Sequence, residues 1–249
     1  MTAFAFAALL AIQSWKSLQP GVDFTTVALN PQGTLYVVRV DPQLATLDVG
    51  LASEKGSPRT AAAWSRDAGM SVVINAGMFQ SDQRSNVGYL RHGSHANNPR
   101  FNSYRSVLAA NPGTLWVDLD QGKPDLSKYK LVVQNLRLIA TNRKNVWATS
   151  GRRWSEAALA EDSHGRLLFL FSRSPYSMHD FNEVLLKLPL DIRRAMHLEG
   201  GPEASLSIHA AGVDLDLCGS YETAFSENDG NVRQWPIPNV LGILSHRSR

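Results

Sequence analysis

A histidine and a glutamate lie two residues apart in the stretch AMHLEGGPEASLSI, residues 195–208. If residues 195–199 form a strand, His197 and Glu199 project to one face and the two apolar neighbours project to the other. The apolar residues would then anchor the strand in the core, and the polar pair would face a cleft or solvent. We therefore take His197 and Glu199 as candidate catalytic residues. The alternative is a tight turn with a solvated glutamate at its rim.

The glycine pair that follows would allow main chain to approach a ligand. Gly200 and Gly201 permit positive φ values and leave backbone N–H groups uncovered, which suits an anion or a sugar oxygen. Ser205 lies just beyond this turn. These residues are candidates for substrate binding.

A second stretch, INAGMF, repeats the pattern of a buried strand that ends in a polar residue. It places Asn75 at the strand end, and Gly77 lets the chain turn sharply after it. An asparagine side chain can donate to and accept from a sugar hydroxyl at the same time. The alternative is an Asn75 that satisfies the backbone of its own turn.

The familiar signatures of cofactor and nucleophile sites are missing. His92 and His95 have a spacing that metal sites sometimes use, but no third ligand is near in sequence, so no metal site is predicted. No serine nucleophile elbow, phosphate-binding loop or dinucleotide fingerprint occurs, so no cofactor is expected. The sequence leaves open whether a metal assists. Trp116, Trp147, Trp154 and Trp235 could include a platform for stacking on a sugar, or they could pack in the core.

The composition is that of a globular protein. The 249 residues are 43% hydrophobic and 19% charged, which is enough to bury a substantial core. The net charge is +3 with scattered lysines and arginines, so no nucleic-acid partner is predicted. A single cysteine excludes an intrachain disulfide.

The beginning of the chain is apolar from residue 3 to residue 12. This is typical of an export signal, although basic residues before it and a clear cleavage site after it are missing. The alternative is a buried first helix. Charges interrupt every later apolar run, so no stable membrane insertion is expected. We therefore divide the chain into residues 1–20, an export signal or N-terminal helix, and a single domain at 21–249.

Strand patterns outnumber helix patterns along the domain. Tight turns join strands predicted at 24–29, 34–41 and 44–52. One helix is predicted from Thr60, its cap, to an exit at Gly69, and another follows the cap Ser177 and stops at Pro189. Residues 80–106 are predicted as a long surface loop. The predicted fold class is α+β, with a mixed, mainly antiparallel β-sheet and a few packed helices.

Several motifs together resemble the phosphodiester glycosidase domain family. In chain order they are SVVINAGMF, SNVGYL, LVVQNLRLI, AALAEDSHGRLLFLF, MHLEGGPEASL and WPIPNVLGI, spread over roughly residues 34–243. The resemblance implies that the stretch after Arg153 is a strand of a hairpin, although its alanines and glutamates favour a helix.

The resemblance also implies an activity. The bond to be broken would join a sugar's anomeric carbon to a phosphate oxygen, and the substrate would be a carbohydrate or a sugar phosphate. Glycosidases normally use two carboxylates, but a cation near the phosphate could replace part of the acid's task. By this resemblance Arg153 would hold the phosphate, Glu199 would stabilise the sugar or orient water, and Asn75 would bind a hydroxyl. His197 would transfer a proton or support Glu199.

Further site residues come from the same resemblance. Backbone at the glycines would allow close approach of the substrate, and Asn239 would belong to the site through the motif PIPNVLG; these residues are Gly77, Gly88, Gly200, Gly201 and Asn239. The second carboxylate would be Asp82, Glu156 or Glu203, among which the sequence does not decide.

Two departures from the family motif suggest alternatives. The family usually has aspartate where this chain has Glu199, and often Gly-Ser-Ser where it has residues 202–205. A glycan-binding surface module that kept the cleft and lost the chemistry is therefore an alternative to a hydrolase. A nuclease or phosphatase is less favoured, because no cluster of carboxylates for two metals occurs. The expected location is outside the cytoplasm, as a periplasmic, cell-surface or secreted protein, and the oligomeric state stays open.

Overall fold

The structure is a computed structural model that describes residues 13–222, 226–227 and 229–246. The strands, in chain order, are β1 (Lys16–Gln19), β2 (Val22–Ala28), β3 (Thr34–Val40), β4 (Leu47–Leu51), β5 (Met70–Asn75), β6 (Leu90–His92), β7 (His95–Asn98), β8 (Ser106–Ala110), β9 (Thr114–Asp118), β10 (Leu131–Asn135), β11 (Arg137–Ala140), β12 (Lys144–Asn145), β13 (Trp154–Asp162), β14 (Leu167–Tyr176), β15 (Ile192–Gly200), β16 (Ser205–Ala210), β17 (Val213–Cys218), β18 (Tyr221–Glu222), β19 (Ser226–Glu227) and β20 (Asn239–Leu244). The helices are α1 (Ala52–Lys55), α2 (Ala61–Ala68) and α3 (Met178–Lys187), with short 3-10 turns at Leu119–Gln121 and Gly201–Glu203.

The strands form three sheets. The largest has the order β1-β2-β3-β14-β13-β15-β11-β12, with β18 and β19 attached beside β13. The second has the order β7-β6-β10-β8-β9, and the third has the order β17-β16-β5-β20-β4. The long hairpin of β13 and β14 and its neighbour β15 therefore lie in the middle of the largest sheet.

The predicted fold class of α+β with a mixed sheet is wrong. Strands hold 48% of the described residues and helices only 12%. Every strand pair in the described part of the chain is antiparallel. A parallel pair needs a long crossover, usually a helix. Here α2 connects β4 to β5, which both pair antiparallel with β20, and α3 connects β14 to β15, which both pair antiparallel with β13. The protein is therefore mainly β, with a few short helices.

The main core lies where the inner faces of the three sheets meet. It holds apolar side chains from each of them, among them Phe169, Met196, Ile74 and Leu131. The opposite face of the largest sheet is covered by α3 through Phe181 and neighbouring residues. The third sheet is covered by α2 through Trp64. Each sheet thus buries both faces, which explains the continuous apolar runs in its central strands.

The two longer predicted helices are confirmed, together with their caps. The Thr60 hydroxyl accepts a hydrogen bond from the backbone of Ala63, and Gly69 ends α2 with a left-handed conformation. The Ser177 hydroxyl accepts from the backbone of Asp180 at the start of α3. The strand expected after Arg153 is also confirmed, since Trp154–Asp162 is β13.

Residues 80–106 are not the long surface loop that their composition predicts. They contain the hairpin of β6 and β7 and a group of buried asparagines at 86, 97 and 98. The Asn97 side chain accepts from the backbone of Asn86, and the Asn98 side chain donates to the backbone of Asn86 and Val87. Side-chain amides replace apolar packing here, which is why hydrophobic periodicity fails to reveal the order of this segment.

The apolar residues 3–12, predicted as an export signal or a first helix, lie outside the described residues. Within the range 1–20, β1 pairs with β2 and so belongs to the largest sheet. None of the helices in the described part of the chain is long and apolar enough to cross a bilayer.

Two glycines allow chain segments to approach each other closely. A Cβ on Gly88 would lie 2.1 Å from the carbonyl oxygen of Gln134, and a Cβ on Gly77 would lie 2.3 Å from Oδ1 of Asn135. Both distances are far below a van der Waals contact. At these positions glycine is required by the packing of the protein itself.

We expect Gly88→Ala to lower the free energy of unfolding by about 1–3 kcal/mol or more, because overpacking a rigid backbone contact forces the chain apart. Urea unfolding followed by fluorescence measures the change. Gly151→Ala is the matched control, since a Cβ there meets no atom within 4 Å. Equal stability of the two variants would contradict the close contact at Gly88.

Candidate active site

A cavity of about 440 Å³ opens where β15 runs into the turn at Gly201–Glu203. Its walls come from the end of β15, the turn after it, the segment after β5, the starts of β13 and α3, and β18. The lining residues are Met78, Phe79, Val87, Trp154, Met178, His197, Glu199, Gly200, Gly201, Glu203 and Glu222. The predicted face of His197 and Glu199 thus borders a cavity, while Met196 and Leu198 are buried in the main core.

The carboxyl group of Glu199 is poorly solvated. Burial raises its pKa from 4.5 to about 8, and the charges of Glu203 and Glu156 act in the same direction. The charge of His197 and a hydrogen bond from the backbone of Gly200, at 3.0 Å, act against the shift. Glu199 is therefore protonated at neutral pH and can donate a proton.

His197 is held by Glu156 on the adjacent strand. Its Nδ1 lies 2.5 Å from Oε1 of Glu156, and both side chains are almost fully buried. Burial lowers the pKa of His197, but the charge and hydrogen bond of Glu156 and the charge of Glu199 outweigh it, so the net shift is upward. Oε2 of Glu156 accepts from Nε1 of Trp154 at 2.8 Å. Both oxygens of Glu156 are thus engaged within the protein.

A β-bulge lies between these two residues. Ala158 pairs with His197 and Ala157 pairs with Glu199, so Leu198 has no partner on β13. Bulges bend a strand, and they are common beside active sites. The alternation of β15 directs both polar side chains to one face, and the bulge lies where that face borders the cavity.

Two further glutamates complete the polar wall. Glu203 lies in the 3-10 turn and Glu222 in β18. Burial raises the pKa of Glu203, and the charge of Glu222 raises it further against a backbone hydrogen bond. Burial, and after it the charge of Glu199, also raise the pKa of Tyr104, which borders another pocket. The cavity therefore has a cluster of acidic groups that influence each other.

Asn75 lies behind the cavity wall. Its Nδ2 donates to the carbonyl of Glu203 at 3.0 Å, and its Oδ1 accepts from the backbone of Ser205 at 2.8 Å. The side chain is fully buried, so the structure places it under the turn that carries Glu203 rather than against a ligand. The Ser205 hydroxyl donates to the same carbonyl of Glu203.

Asn239, Gly77 and Gly88 also contact protein atoms and do not line the cavity. The Asn239 side chain donates to the carbonyl of Arg84 and accepts from Asn97, which holds the segment that ends in the cavity residue Val87. Gly77 and Gly88 contact protein atoms, as described above. The structure thus brings none of these three residues into the cavity wall.

The glycine pair does line the cavity. Gly201 has φ +64°, and a Cβ there would meet no atom closer than 3.7 Å. A Cβ on Gly200 would lie 2.7 Å from Cδ1 of Trp154, so the indole covers this glycine. Close approach of a ligand is therefore open at Gly201 and blocked by Trp154 at Gly200.

Arg153 does not line this cavity. It borders a separate pocket formed with Pro31, Tyr176 and Glu183 at the end of α3. The expectation that Asn75, Arg153 and Glu199 line one pocket is therefore not met, because only Glu199 does so. Among the three candidates for a second carboxylate, Asp82 caps the exposed backbone of Arg84 and Ser85, whereas Glu203 lines the cavity.

The sequence did not point to Glu222 or Met178, and it left Glu156 and Trp154 among several alternatives. The register of β13 against β15, which places Glu156 opposite Gly200 and two residue pairs from His197, is the information that assigns Glu156. Glu222 lies beyond the alternating pattern of β17, so no sequence signal marks it. Among the described residues, no group of three or more histidine, cysteine or acidic side chains is arranged to hold a metal ion.

The cavity has the components of acid–base chemistry. It holds one carboxyl group that keeps its proton at neutral pH, a second carboxyl group in the same wall, and a buried histidine–glutamate pair beside them. Paired carboxyl groups with different pKa values are the usual machinery for cleaving glycosidic bonds.

Comparisons with solved structures show the same fold in distant proteins. A hypothetical protein from Synechocystis superposes with a TM-score of 0.65 at 14% identity, covering 92% of this chain and 64% of that one. The zebrafish N-acetylglucosamine-1-phosphodiester alpha-N-acetylglucosaminidase catalytic domain, auto-inhibited by its pro-peptide, gives 0.62 at 13% identity and 92% and 84% coverage. A Burkholderia pseudomallei K96243 protein that carries a provisional name as an exported protein gives 0.52 at 11% identity, with 90% and 74% coverage.

This chain thus spans less than two thirds of the Synechocystis protein's length. A search of curated protein sequences finds no significant match. The family model for phosphodiester glycosidase, however, matches residues 68–244, which is most of the chain and includes His197, Glu199 and the turn after them. The chain therefore belongs to the phosphodiester glycosidase family.

Proposed function

We propose that the cavity at the end of β15 hydrolyses the bond between a sugar's anomeric carbon and its substituent oxygen, in a phosphodiester or a related glycoside. The observation that carries this proposal is Glu199, a carboxyl group with a pKa of about 8 that lines a cavity beside a second glutamate. Membership of the phosphodiester glycosidase family supports the reaction class. The name of the zebrafish protein supports a sugar linked through its anomeric carbon.

Each carboxyl group has its own role in this proposal. Glu199 donates its proton to the leaving oxygen as the bond to the anomeric carbon breaks. Glu203 accepts a proton from the water whose oxygen bonds to that carbon, so that one water is consumed and one free sugar is released. Because Asn75 and Ser205 bind the main chain of Glu203, they position this second carboxyl group.

His197 supports the ionised form of Glu199 after proton donation. The positive charge of protonated His197 favours the carboxylate of Glu199, and Glu156 raises the pKa of His197 and orients its ring. We assign His197 and Glu156 as positioning residues. The indole of Trp154, which is bonded to Glu156 and covers Gly200, offers an apolar wall for a sugar ring.

We expect Glu199→Gln to lower the turnover of a cleavable sugar substrate by about 10²–10⁴-fold, because the amide cannot donate a proton to the leaving oxygen. Release of reducing sugar measures the rate, and circular dichroism checks the fold. Asp82→Asn is the matched control, since it removes a carboxylate from an exposed loop, and its rate should stay within about twofold of the wild type.

Undiminished turnover in Glu199→Gln would remove Glu199 from the mechanism. Binding of the sugar by the wild type without any turnover would instead favour the alternative, a glycan-binding module that kept the cleft.

The raised pKa of Glu199 makes stability depend on pH. In the unfolded chain this group ionises near 4.5, whereas in the folded protein it holds its proton up to about 8. The stability that it contributes is present below pH 4.5 and is lost as the pH rises through 8. We therefore expect the melting temperature of the wild type, relative to that of Glu199→Gln, to fall by at least about 2 °C between pH 5 and pH 9.

Thermal unfolding at a series of pH values measures this difference. The same comparison with Asp125→Asn is the control, because Asp125 is exposed and the pKa of its carboxyl group is lowered by hydrogen bonds from Ser127. A constant difference between wild type and Glu199→Gln would contradict the proton on Glu199.

We also propose that the protein is exported. Support comes from the apolar residues 3–12 and from the provisional name of the Burkholderia pseudomallei protein. Fusion of residues 1–20 to a mature β-lactamase should confer ampicillin resistance on a bacterial host, because the enzyme acts only after export. A fusion that carries Leu9→Arg and Leu10→Arg is the control. Resistance that is equal in both, or lacking in both, would contradict an export signal.

A further inference from the structure

Acidic side chains line the cavity, and the imidazole of His197 in its wall is paired with the carboxylate of Glu156. Glu199, Glu203 and Glu222 line it, and the buried pair of Glu156 and His197 adds no net charge when both are ionised. Within residues 13–222, 226–227 and 229–246, no lysine or arginine belongs to its lining. A ligand in this cavity therefore meets carboxyl groups and a paired imidazole.

The two arginines nearest in sequence to the cavity residue Trp154 belong to other pockets. Arg153 borders the pocket at the end of α3. Arg152 borders a hollow on the other side of Trp154 and Met178, together with Trp147 and His179. The indole and the methionine side chain thus form a shared wall between the acidic cavity and Arg152.

A phosphodiester would bring negative charge next to these carboxyl groups. The repulsion between two like charges about 5 Å apart weakens binding by a factor of about four in a watery environment and of roughly two hundred near a protein surface. The cavity could escape this repulsion by binding a further proton on its wall. Each proton taken up for that purpose also costs binding free energy at neutral pH.

We propose that the cavity selects glycosides with a neutral leaving group, an alcohol such as a hydroxyl of a second sugar, and discriminates against sugar phosphodiesters. This inference rests on the proposed function, which it narrows from the family's reaction class to one substrate class. Glu222 is the specificity-determining residue, because it adds negative charge to the wall and has no assigned part in the bond cleavage.

The chemistry of the leaving group agrees with this choice. A phosphate departs as a stable anion, whereas an alkoxide must take up a proton as the carbon–oxygen bond breaks. Here the proton comes from Glu199, the leaving oxygen becomes an alcohol, and the hydroxyl of water replaces it on the anomeric carbon. A carboxyl group that carries a proton at neutral pH is needed when the leaving group is an alcohol, and it contributes little when the leaving group is a phosphate.

The test compares two ligands of the same sugar. Methyl glycosides and 1-phosphates of glucose, galactose, mannose and N-acetylglucosamine are titrated at pH 7 by isothermal calorimetry into wild type and Glu199→Gln. We expect at least one sugar to bind as its methyl glycoside about tenfold or more tightly than as its 1-phosphate. Equal or tighter binding of the 1-phosphate, or no binding of either form of any sugar, would overturn the inference.

Charge variants identify the cause of the selection. Glu222→Gln should raise the affinity for the 1-phosphate, relative to that for the methyl glycoside, by about three- to tenfold. Asp125→Asn is the control, since it removes an equal charge from the distant surface and should leave both affinities unchanged. If Glu222→Gln has the same ratio of the two affinities as the wild type, the inference is overturned. A loss of 1-phosphate binding in Arg152→Gln would also overturn it, because the phosphate would then bind in the hollow that Arg152 borders.

Turnover separates this inference from the proposed function. Hydrolysis is measured on matched substrates of each sugar, a disaccharide and a sugar 1-phosphate methyl ester. Faster cleavage of the phosphodiester would support the hydrolase and overturn the neutral leaving group. Preferential binding of the methyl glycoside without cleavage of either substrate would support the charge selection and overturn the hydrolytic function.

Discussion

The contact between His197 and Glu156 is the interaction on which the site depends. It joins the side chains of β15 and β13 in the interior, where neither charge would be stable alone. Both oxygens of Glu156 are occupied, one by His197 and one by Trp154. Among the residues that the structure describes, Glu199 has no cationic partner at hydrogen-bond distance, and burial keeps its proton in place. The pair thus leaves Glu199 as the carboxyl group that can act as the acid.

Buried amides give the cavity its shape. Asn75 holds the main chain of the turn that carries Glu203, and Asn239 with Asn97 holds the segment that ends at Val87. These side chains satisfy backbone groups that no strand reaches, which is the usual requirement for irregular chain in an interior. The motifs that mark the family therefore include residues of two kinds. Some line the cavity, and others build the walls that hold them.

The sequence was most informative where a residue's role is local. The caps Thr60 and Ser177 fix the ends of two helices, and the alternation in β15 sends Met196 and Leu198 into the core. It was least informative where a role depends on pairing between distant strands. The Asn75 side chain could bind a sugar hydroxyl. The strand order, however, places β16 beside β5, so this side chain bonds to the turn before β16 instead. The placement of Arg153 in another pocket has the same origin, because its neighbours come from α3 and residues 30–32.

The mainly antiparallel architecture explains why the acidic groups gather in one place. β15 and β18 each pair antiparallel with β13, so the ends of β15 and β18 lie beside the start of β13. Glu156, Glu199 and Glu222 are far apart in sequence, but Glu156 lies near the start of β13, and Glu199 and Glu222 lie at or near the ends of β15 and β18. His197 and Glu199 share one face of β15, on either side of the bulge at Leu198. The charges of Glu203 and Glu156 add to burial in raising the pKa of Glu199, so a site built in this way stores the proton that a departing alcohol needs.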